Sequence, residues 1–441
     1  MTGTPTPLRI SVIGCGYLGS VHAVAMAALG HDVIGIDISS ERITQLSAGE
    51  APFFEPELPE RLAAGLASGR LRFSTDIAAA GDADLHFLCV GTPQAEGEDA
   101  ADLTALFAVT DALLPHLRPG AVVAGKSTVP VGTAARLAPA IEAAGGLLAW
   151  NPEFLREGHA VADSLAPDRI VVGVAADGAR DAVDMLHRAY APLLEAGAPL
   201  VTTDLPTAEL VKGAANAYLA TRISFMNAMA EVAEKSGADI SGLAEALGHD
   251  ERIGPHYLRA GIGFGGGCLP KDIRAFAARA RELGAESPAA LLDHVDEINL
   301  GQRTAIVAAL AEHFGGELNG RRVTLLGAAF KPNSDDIRDS PAIDIALELH
   351  RQGAVVTITD PAALPNVAAR YPELSLIADT YESLRNAECV VLATEWAEYR
   401  GIDPARAAQL VAALTVFDGR NCLDRELWSA AGWSYRGIGR R

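Results

Sequence analysis

The 441-residue chain is poor in cysteine, in aromatic side chains and in basic charge. Its five cysteines, at 15, 89, 268, 389 and 422, form no CxxC pair and no closely spaced even set. That argues against a disulfide framework and suits a reducing cytoplasm. Lys and Arg number 36 against 56 Asp and Glu, a formal net charge of -20. Such a balance disfavours nucleic acid and anionic membrane as partners. It leaves room for a small anionic ligand held by local basic residues and helix N-termini. No apolar run reaches membrane-spanning length. Aromatics make up 5% of a chain that is 49% apolar, as in Ala/Val/Leu-rich α/β enzymes. The length implies two or three domains. The polar, Pro/Thr-rich stretch from Met1 to Leu8 reads as a short disordered lead, not as a signal peptide. No internal tandem repeat is present, and no clustered set of metal ligands.

What is abundant is glycine, and it concentrates in one place. Gly261-Ile-Gly-Phe-Gly-Gly-Gly267 holds five glycines in seven residues. They lower the cost of unusual backbone angles and let a ligand approach the main chain. Cys268, Leu269 and Pro270 follow, then an amphipathic segment from Asp272 to Leu283. Proline suits the first turn of a helix, so Cys268 is expected at or just before a helix N-terminus. There the dipole and free N–H groups favour a thiolate. Asp272 lies about one turn further on. A thiol beside a carboxylate suggests nucleophilic catalysis; the alternative is a glycine-rich turn around a buried cysteine.

The N-terminal part carries a second pattern. Arg9 to Ile13 reads as a buried strand running into Gly14-Cys15-Gly16-Tyr17-Leu18-Gly19, then a helix from Ser20 to Leu29, then a strand from Val33 to Asp37. Strand, GxGxxG, helix, strand and acid form the dinucleotide fingerprint in its proper order. Asp37 is placed for ribose hydroxyls, favouring NAD over NADP, and Arg42 for the adenine or a phosphate. Further strands are expected at 83–90, 121–125, 147–150 and 169–174. Three of them end in small polar loops: Gly91-Thr92-Pro93, Lys126-Ser-Thr-Val-Pro-Val-Gly-Thr133 and Asn151-Pro-Glu-Phe-Leu-Arg-Glu-Gly158. In a parallel sheet such ends line the ligand crevice, which would gather Thr92, Thr128, Glu153 and Glu157.

Asp204 to Lys235 has helical spacing throughout, with Lys212 and Asn216 four apart on one face. That pair is either solvated decoration or flanks a ligand. Helical patterns also run from Ala289 to Phe314, so residues 204–315 form a central helical block, expected to make a dimer seam between NAD-binding residues 1–203 and a C-terminal part, 316–441. The C-terminal part is again β-α-β, with strands at 322–326, 355–359, 388–393 and 415–418. It lacks GxGxxG, so a second dinucleotide is not expected; Lys331 and Arg338 would hold a phosphorylated substrate instead. The expected architecture is two Rossmann-like doubly wound domains joined by a central helical dimerisation region.

Set side by side, these stretches resemble the UDP-glucose/GDP-mannose dehydrogenase family, which oxidises a nucleotide-sugar alcohol to an acid. The resemblance covers residues 8 to 425. It rests on GCGYLG at 14–19, VGTP at 90–93, STVPVGT at 127–133, NPEFLREG at 151–158, RIGP at 252–255, GFGGGCLPKD at 263–272 and FKPNSDDIRDSP at 330–341. Gly267 departs from the family's usual Ser and Leu269 from a common Phe; RIGP points to the UDP-glucose branch. The resemblance implies oxidation of UDP-glucose to UDP-glucuronate with two NAD+ through a thiohemiacetal and thioester on Cys268. GDP-mannose, TDP-glucose or a nucleotide-linked N-acetylhexosamine are alternative substrates, and a non-catalytic sensor or a two-electron hydroxyacid-type dehydrogenase are rival readings. It further implies that Thr128 and Asp272 hold a water near Lys212, that Lys212 and Asn216 stabilise the oxyanion, and that Glu153 activates the hydrolytic water. Glu157 and Arg338 would touch the cofactor. Phe154, Leu155, Tyr257, Leu258, Arg259, Gly261, Phe264, Gly265 and Lys331 would touch the nucleotide sugar, and Arg252 the substrate of a partner subunit. The partners so implied are a nucleotide sugar and at least one further copy of the chain.

Overall fold

The structure, a computed structural model, describes residues 6–175 and 179–440. It divides into two compact units, Met1–Ala215 and Asn216–Arg441. The lead expected through Leu8 lies mostly outside the described residues; Leu8 itself is buried, and its amide donates to His31 Nδ1.

The first unit is built on one eight-stranded sheet in the order β3-β2-β1-β4-β5-β6-β7-β8. Its strands are β1 (Arg9–Ile13), β2 (Asp32–Ile36), β3 (Leu71–Ser74), β4 (Leu85–Leu88), β5 (Val122–Gly125), β6 (Leu147–Trp150), β7 (Ile170–Val174) and β8 (Leu200–Asp204). The first six run parallel, and β1, β4, β5 and β7 are buried along nearly their whole length. Continuous apolar runs of this kind are what a sheet covered on both faces requires. The reversal between β1 and β4 opens the crevice at the carboxyl ends where doubly wound sheets take their ligands. Only β7 turns against its neighbour: β6 and β7 pair antiparallel, and β8 runs parallel to β7.

The second unit contains a six-stranded, all-parallel sheet, β11-β10-β9-β12-β13-β14. Its strands are β9 (Arg322–Leu326), β10 (Val355–Thr359), β11 (Ser375–Leu376), β12 (Cys389–Leu392), β13 (Thr415–Asp418) and β14 (Ser434–Gly437). The expected central helices are present. Taking the helix after β1 as α1 (Tyr17–Ala28), they are α2 (Leu205–Ser236), α3 (Leu269–Glu282) and α4 (Glu286–His313); α5 (Pro341–Arg351) follows β9. Ile306, Val307 and Leu310 of α4 share one core with Val323, Leu325 and Ile343, so a continuous hydrophobic core spans residue 315. The fold is thus two Rossmann-like sheets with a helical region between them in sequence. Among the described residues, no helix is long and apolar enough to cross a membrane.

Candidate active site

In the first unit the glycine turn behaves as its spacing predicts. Gly14 has φ +91°, and an added Cβ would meet Val90 at 2.9 Å. A Cβ on Gly19 would lie 1.7 Å from Gly14 O, so helix and strand pack too closely for any side chain there. A Cβ on Gly16 would meet nothing within 4 Å. Gly16 also caps α1 without a side-chain hydrogen bond, and the first turn of α1 carries no acid. An open, uncapped and acid-free helix start fits a pyrophosphate. Asp37 is buried at the end of β2; its Oδ2 accepts from the Cys15 amide at 2.8 Å and from Arg42 Nη1 at 3.0 Å, and its Oδ1 from Ser39 N at 2.9 Å. These contacts fix the carboxylate against the glycine turn.

Tyr17 is tied down by a residue that sequence reading passed over. Its hydroxyl donates to Glu55, which is itself buried. Glu55 also accepts from the amides of Gly158 and Ala160, both at 2.7 Å. One carboxylate therefore joins the glycine turn to the loop after β6 that carries Glu157, also buried. Burial, and then Glu55, push the Tyr17 phenol above its usual range.

The strand-end residues are brought together. Thr92 Oγ1 donates to Thr128 O at 2.7 Å, and Ser127 Oγ donates to Val90 O at 2.6 Å, so the loops after β4 and β5 are stitched to each other. Glu153 Oε1 forms an ion pair with Lys212 Nζ at 2.9 Å, both side chains being largely buried. Glu153 Oε2 accepts from Leu155 N at 2.6 Å. Burial alone would raise this carboxyl, but Lys212, the Leu155 amide and Lys126 outweigh it and hold Glu153 below the usual carboxylate range. Phe154 lies under the Arg169 guanidinium, 3.8 Å from ring centroid to Cζ.

In the second unit Cys268 is exposed and is the N-cap residue of α3, with Pro270 in the first turn. The helix begins at Leu269, so Cys268 stands just before its N-terminus, as Pro270 with its pre-set helical φ predicts. Asp272 is buried one turn on; its Oδ2 accepts from Asn216 Nδ2 at 2.6 Å, and its Oδ1 pairs with Lys271. Lys212 and Asn216 occupy successive turns of α2, as their spacing requires.

The glycine loop before Cys268 is clamped on every side within this unit. Asn227 Oδ1 accepts from Gly261 N at 2.8 Å, and Ile262 N donates to Gly419 O at 2.9 Å. Asn299 of α4 accepts from Phe264 N at 2.7 Å and donates back to Phe264 O at 3.1 Å. Arg303 donates to the same carbonyl at 3.1 Å, and Arg420 to Gly263 O at 2.8 Å. A Cβ on Gly265 would stand 2.2 Å from Asp339 O, and one on Gly267 2.3 Å from the Arg338 Cζ. Arg338 pairs with Asp336 at 2.6 Å, and Lys331 lies 5.2 Å over the Phe330 ring.

Not every expected contact residue offers its side chain. Leu258 is buried in a cluster with Met226, Ala230 and Ile240, so only its main chain is available to a ligand, and Phe264 packs with Ala217 and Ile273. Tyr257, at φ +60°, and Arg252 and Arg259 are exposed, Arg252 paired with Asp250 at 2.6 Å. Sequence reasoning missed Glu55, Asn227, Asn299, Arg303 and Arg420. None of them carries in its own stretch a sign of the partner it satisfies; only the buried setting does.

Comparison with known proteins agrees with this frame. Models of the UDP-glucose/GDP-mannose dehydrogenase family match as NAD binding domain over residues 8–193, central domain over 206–300 and UDP binding domain over 324–425. The chain is 38% identical to a UDP-glucose 6-dehydrogenase of Rhizobium meliloti, covering 98% of this chain and 100% of that protein. It is 39% identical to one of Pseudomonas aeruginosa, covering 98% of each. A solved UDP-glucose dehydrogenase from the hyperthermophilic archaeon Pyrobaculum islandicum is 37% identical and superposes with a TM-score of 0.90, covering 100% of this chain and 99% of that one. With all three domains matched in order, the chain belongs to the UDP-glucose/GDP-mannose dehydrogenase family.

Proposed function

We infer that this protein catalyses the NAD-dependent oxidation of UDP-glucose to UDP-glucuronate, with Cys268 as covalent nucleophile. Alcohol to acid is a four-electron change, so NAD, when bound, accepts a hydride from the sugar C6 carbon in each of two turns. The observation that carries the covalent reading is the exposed thiol at the start of α3, one turn from a buried carboxylate. In this reading Asp272 takes the proton of the C6 hydroxyl through a water, with Thr128 as a second ligand of that water. The Cys268 sulfur then adds to the aldehyde carbon, and its oxygen gains the negative charge that Lys212 and Asn216 stabilise. Loss of the second hydride leaves a thioester. Glu153, held ionised beside Lys212, takes a proton from the water that attacks the carbonyl; the C–S bond breaks and the thiolate is restored. Gly14, Gly16, Tyr17, Leu18, Gly19, Asp37, Arg42, Thr92, Thr128, Glu157 and Arg338 serve the cofactor. The division of labour follows three segments, 1–203, 204–315 and 316–441.

The experiment is to titrate limiting UDP-glucose with excess NAD and count NADH. Two per sugar, with acid as product, is the expected result. One per sugar, with aldehyde released, would end the covalent reading. GDP-mannose and TDP-glucose in the same assay should react far more slowly.

The working unit in this reading is at least a dimer. Tyr218, Phe225 and Val232 are 62%, 50% and 56% exposed and recur every seven residues along α2, a spacing that keeps them on one face. A second copy would cover this stripe. Phe225→Glu should then lower the mass measured by sedimentation; an unchanged mass would contradict it. A catalytic thiol that must stay reduced suits the cytoplasm.

A further inference from the structure

Lys126, the residue after β5, has a buried ammonium group that the chemistry above does not use. Its Nζ lies 3.1 Å from Asn151 Oδ1 and 3.5 Å from Asn151 O. It also sits 5.7 Å and 5.9 Å from the ring centroids of Phe87 and Tyr190. Among the described residues, no carboxylate stands within ion-pair distance of it. A buried cation without a paired anion costs several kcal/mol even after relaxation, so the fold keeps Lys126 at some expense.

Two consequences of its position follow. First, Lys126 helps immobilise Asn151, whose Oδ1 also accepts from Tyr190 Oη at 2.6 Å and whose Nδ2 donates to Val171 O at 2.7 Å. Asn151 opens the Asn151-Pro152-Glu153 turn, so pinning it fixes where Glu153 starts. Second, Lys126 adds a second positive charge to the field at Glu153, beyond that of Lys212. The ionisable groups facing Lys126 are Cys89, Tyr190, Glu153, Lys212 and His22. Burial pushes the ammonium down to about 8, Cys89 and Glu153 oppose that, and Lys212 adds to it.

We propose that Lys126 is a positioning residue for the reaction: by pinning Asn151 it sets the place of Glu153, and its charge adds to that of Lys212 there. The proposal rests on the reading of Glu153 as the base for thioester hydrolysis. Its test uses the full-length protein with UDP-glucose and NAD, comparing Lys126→Met, Glu153→Gln and the double variant. Lys126→Met should lower kcat by about tenfold while KM for UDP-glucose stays within about twofold, because it acts on a proton transfer and not on binding. The acid limb of kcat should move to higher pH as Glu153 loses a neighbouring charge. In the Glu153→Gln background, Lys126→Met should cost nothing more. An equal loss in both backgrounds, or an unmoved acid limb, overturns the proposal. A Glu153→Gln enzyme with normal kcat overturns the role of Glu153 and the proposal together, and is told apart by that single variant. Should Lys126→Met fail to fold, Tyr190→Phe removes one bond to Asn151 and keeps the ring; a smaller kcat loss at constant KM is expected, and no loss counts against the pin.

Discussion

Asn216 Nδ2 donates to Asp272 Oδ2 at 2.6 Å, joining two buried polar side chains from α2 and α3 that lie 56 residues apart. The bond ties the helix that carries Lys212 to the helix capped by Cys268. Asn216→Ala would strip Asp272 of one of its two donors in a buried setting. We expect a loss of about 1–3 kcal/mol in urea unfolding, the range for an unsatisfied buried polar group, together with a fall in kcat. Full stability in the alanine variant would show that water replaces the amide.

Cys268→Ser should reduce acid formation by roughly a thousandfold, because serine lacks the sulfur that makes both addition and thioester hydrolysis easy. A serine enzyme that makes acid at a near-normal rate would exclude the thioester. The same thiol should be the first to react with iodoacetamide. Burial raises the thiol pKa of Cys15, Cys389 and Cys422, and pushes Cys89 up to about 12, whereas Cys268 is exposed. Peptide mapping that finds Cys15 or Cys389 labelled first would contradict this.

Asp37 should confer preference for NAD over NADP, since a carboxylate anchored by Cys15 N and Arg42 repels a 2′-phosphate. Initial rates with the two cofactors decide it; equal use would refute the assignment.

The glycine loop should respond unequally to alanine. At Gly265 the new methyl meets a main-chain oxygen, Asp339 O, at 2.2 Å, which cannot yield without moving the chain. At Gly267 it meets the end of the Arg338 side chain, which can swing aside. Gly265→Ala should therefore cost about 1–3 kcal/mol or more, as overpacking does, and Gly267→Ala well under half of that. A reversed order in thermal melts would be inconsistent with this packing.

Stability should fall as pH drops from 6.5 toward 4. Burial lowers the pKa of His86 to about 4 and, with Lys126 nearby, that of His22 well below its ordinary value. Between the unfolded value of 6.5 and the folded one, the unfolded chain binds protons that the folded chain refuses, so the equilibrium shifts toward unfolding. For His86 alone this amounts to about 3 kcal/mol by pH 4, at 1.36 kcal/mol per unit. Urea midpoints measured between pH 7 and pH 4.5 test it, and a flat profile would contradict the buried neutral histidines.

Most of the strands were within reach of pattern reading, because β1, β4, β5, β9 and β12 are largely apolar runs that end in turn residues. The strands β3, β8, β11 and β14 escaped it, since each is only partly buried and has no such run. The direction of β7 escaped it as well: an apolar strand reads the same whether it pairs parallel or antiparallel. Of the candidate site, Cys268, Asp272 and the glycine turn were singled out from local sequence, and Lys212 from the family resemblance. Their supports were not, because Glu55 reaches Gly158 across 103 residues and Arg420 reaches Gly263 across 157.

The residues alone determined where the chain must bend and where a helix must start, as at Gly14 and at Pro270. Those are steric properties of single residues and their immediate neighbours, independent of the rest of the fold. The tertiary structure decided which buried polar groups satisfy one another: Asn299 with Phe264, Arg303 with Asp339, Lys126 with Asn151. A hydrogen bond between distant segments depends on geometry that packing creates, and nothing in either segment by itself specifies its partner.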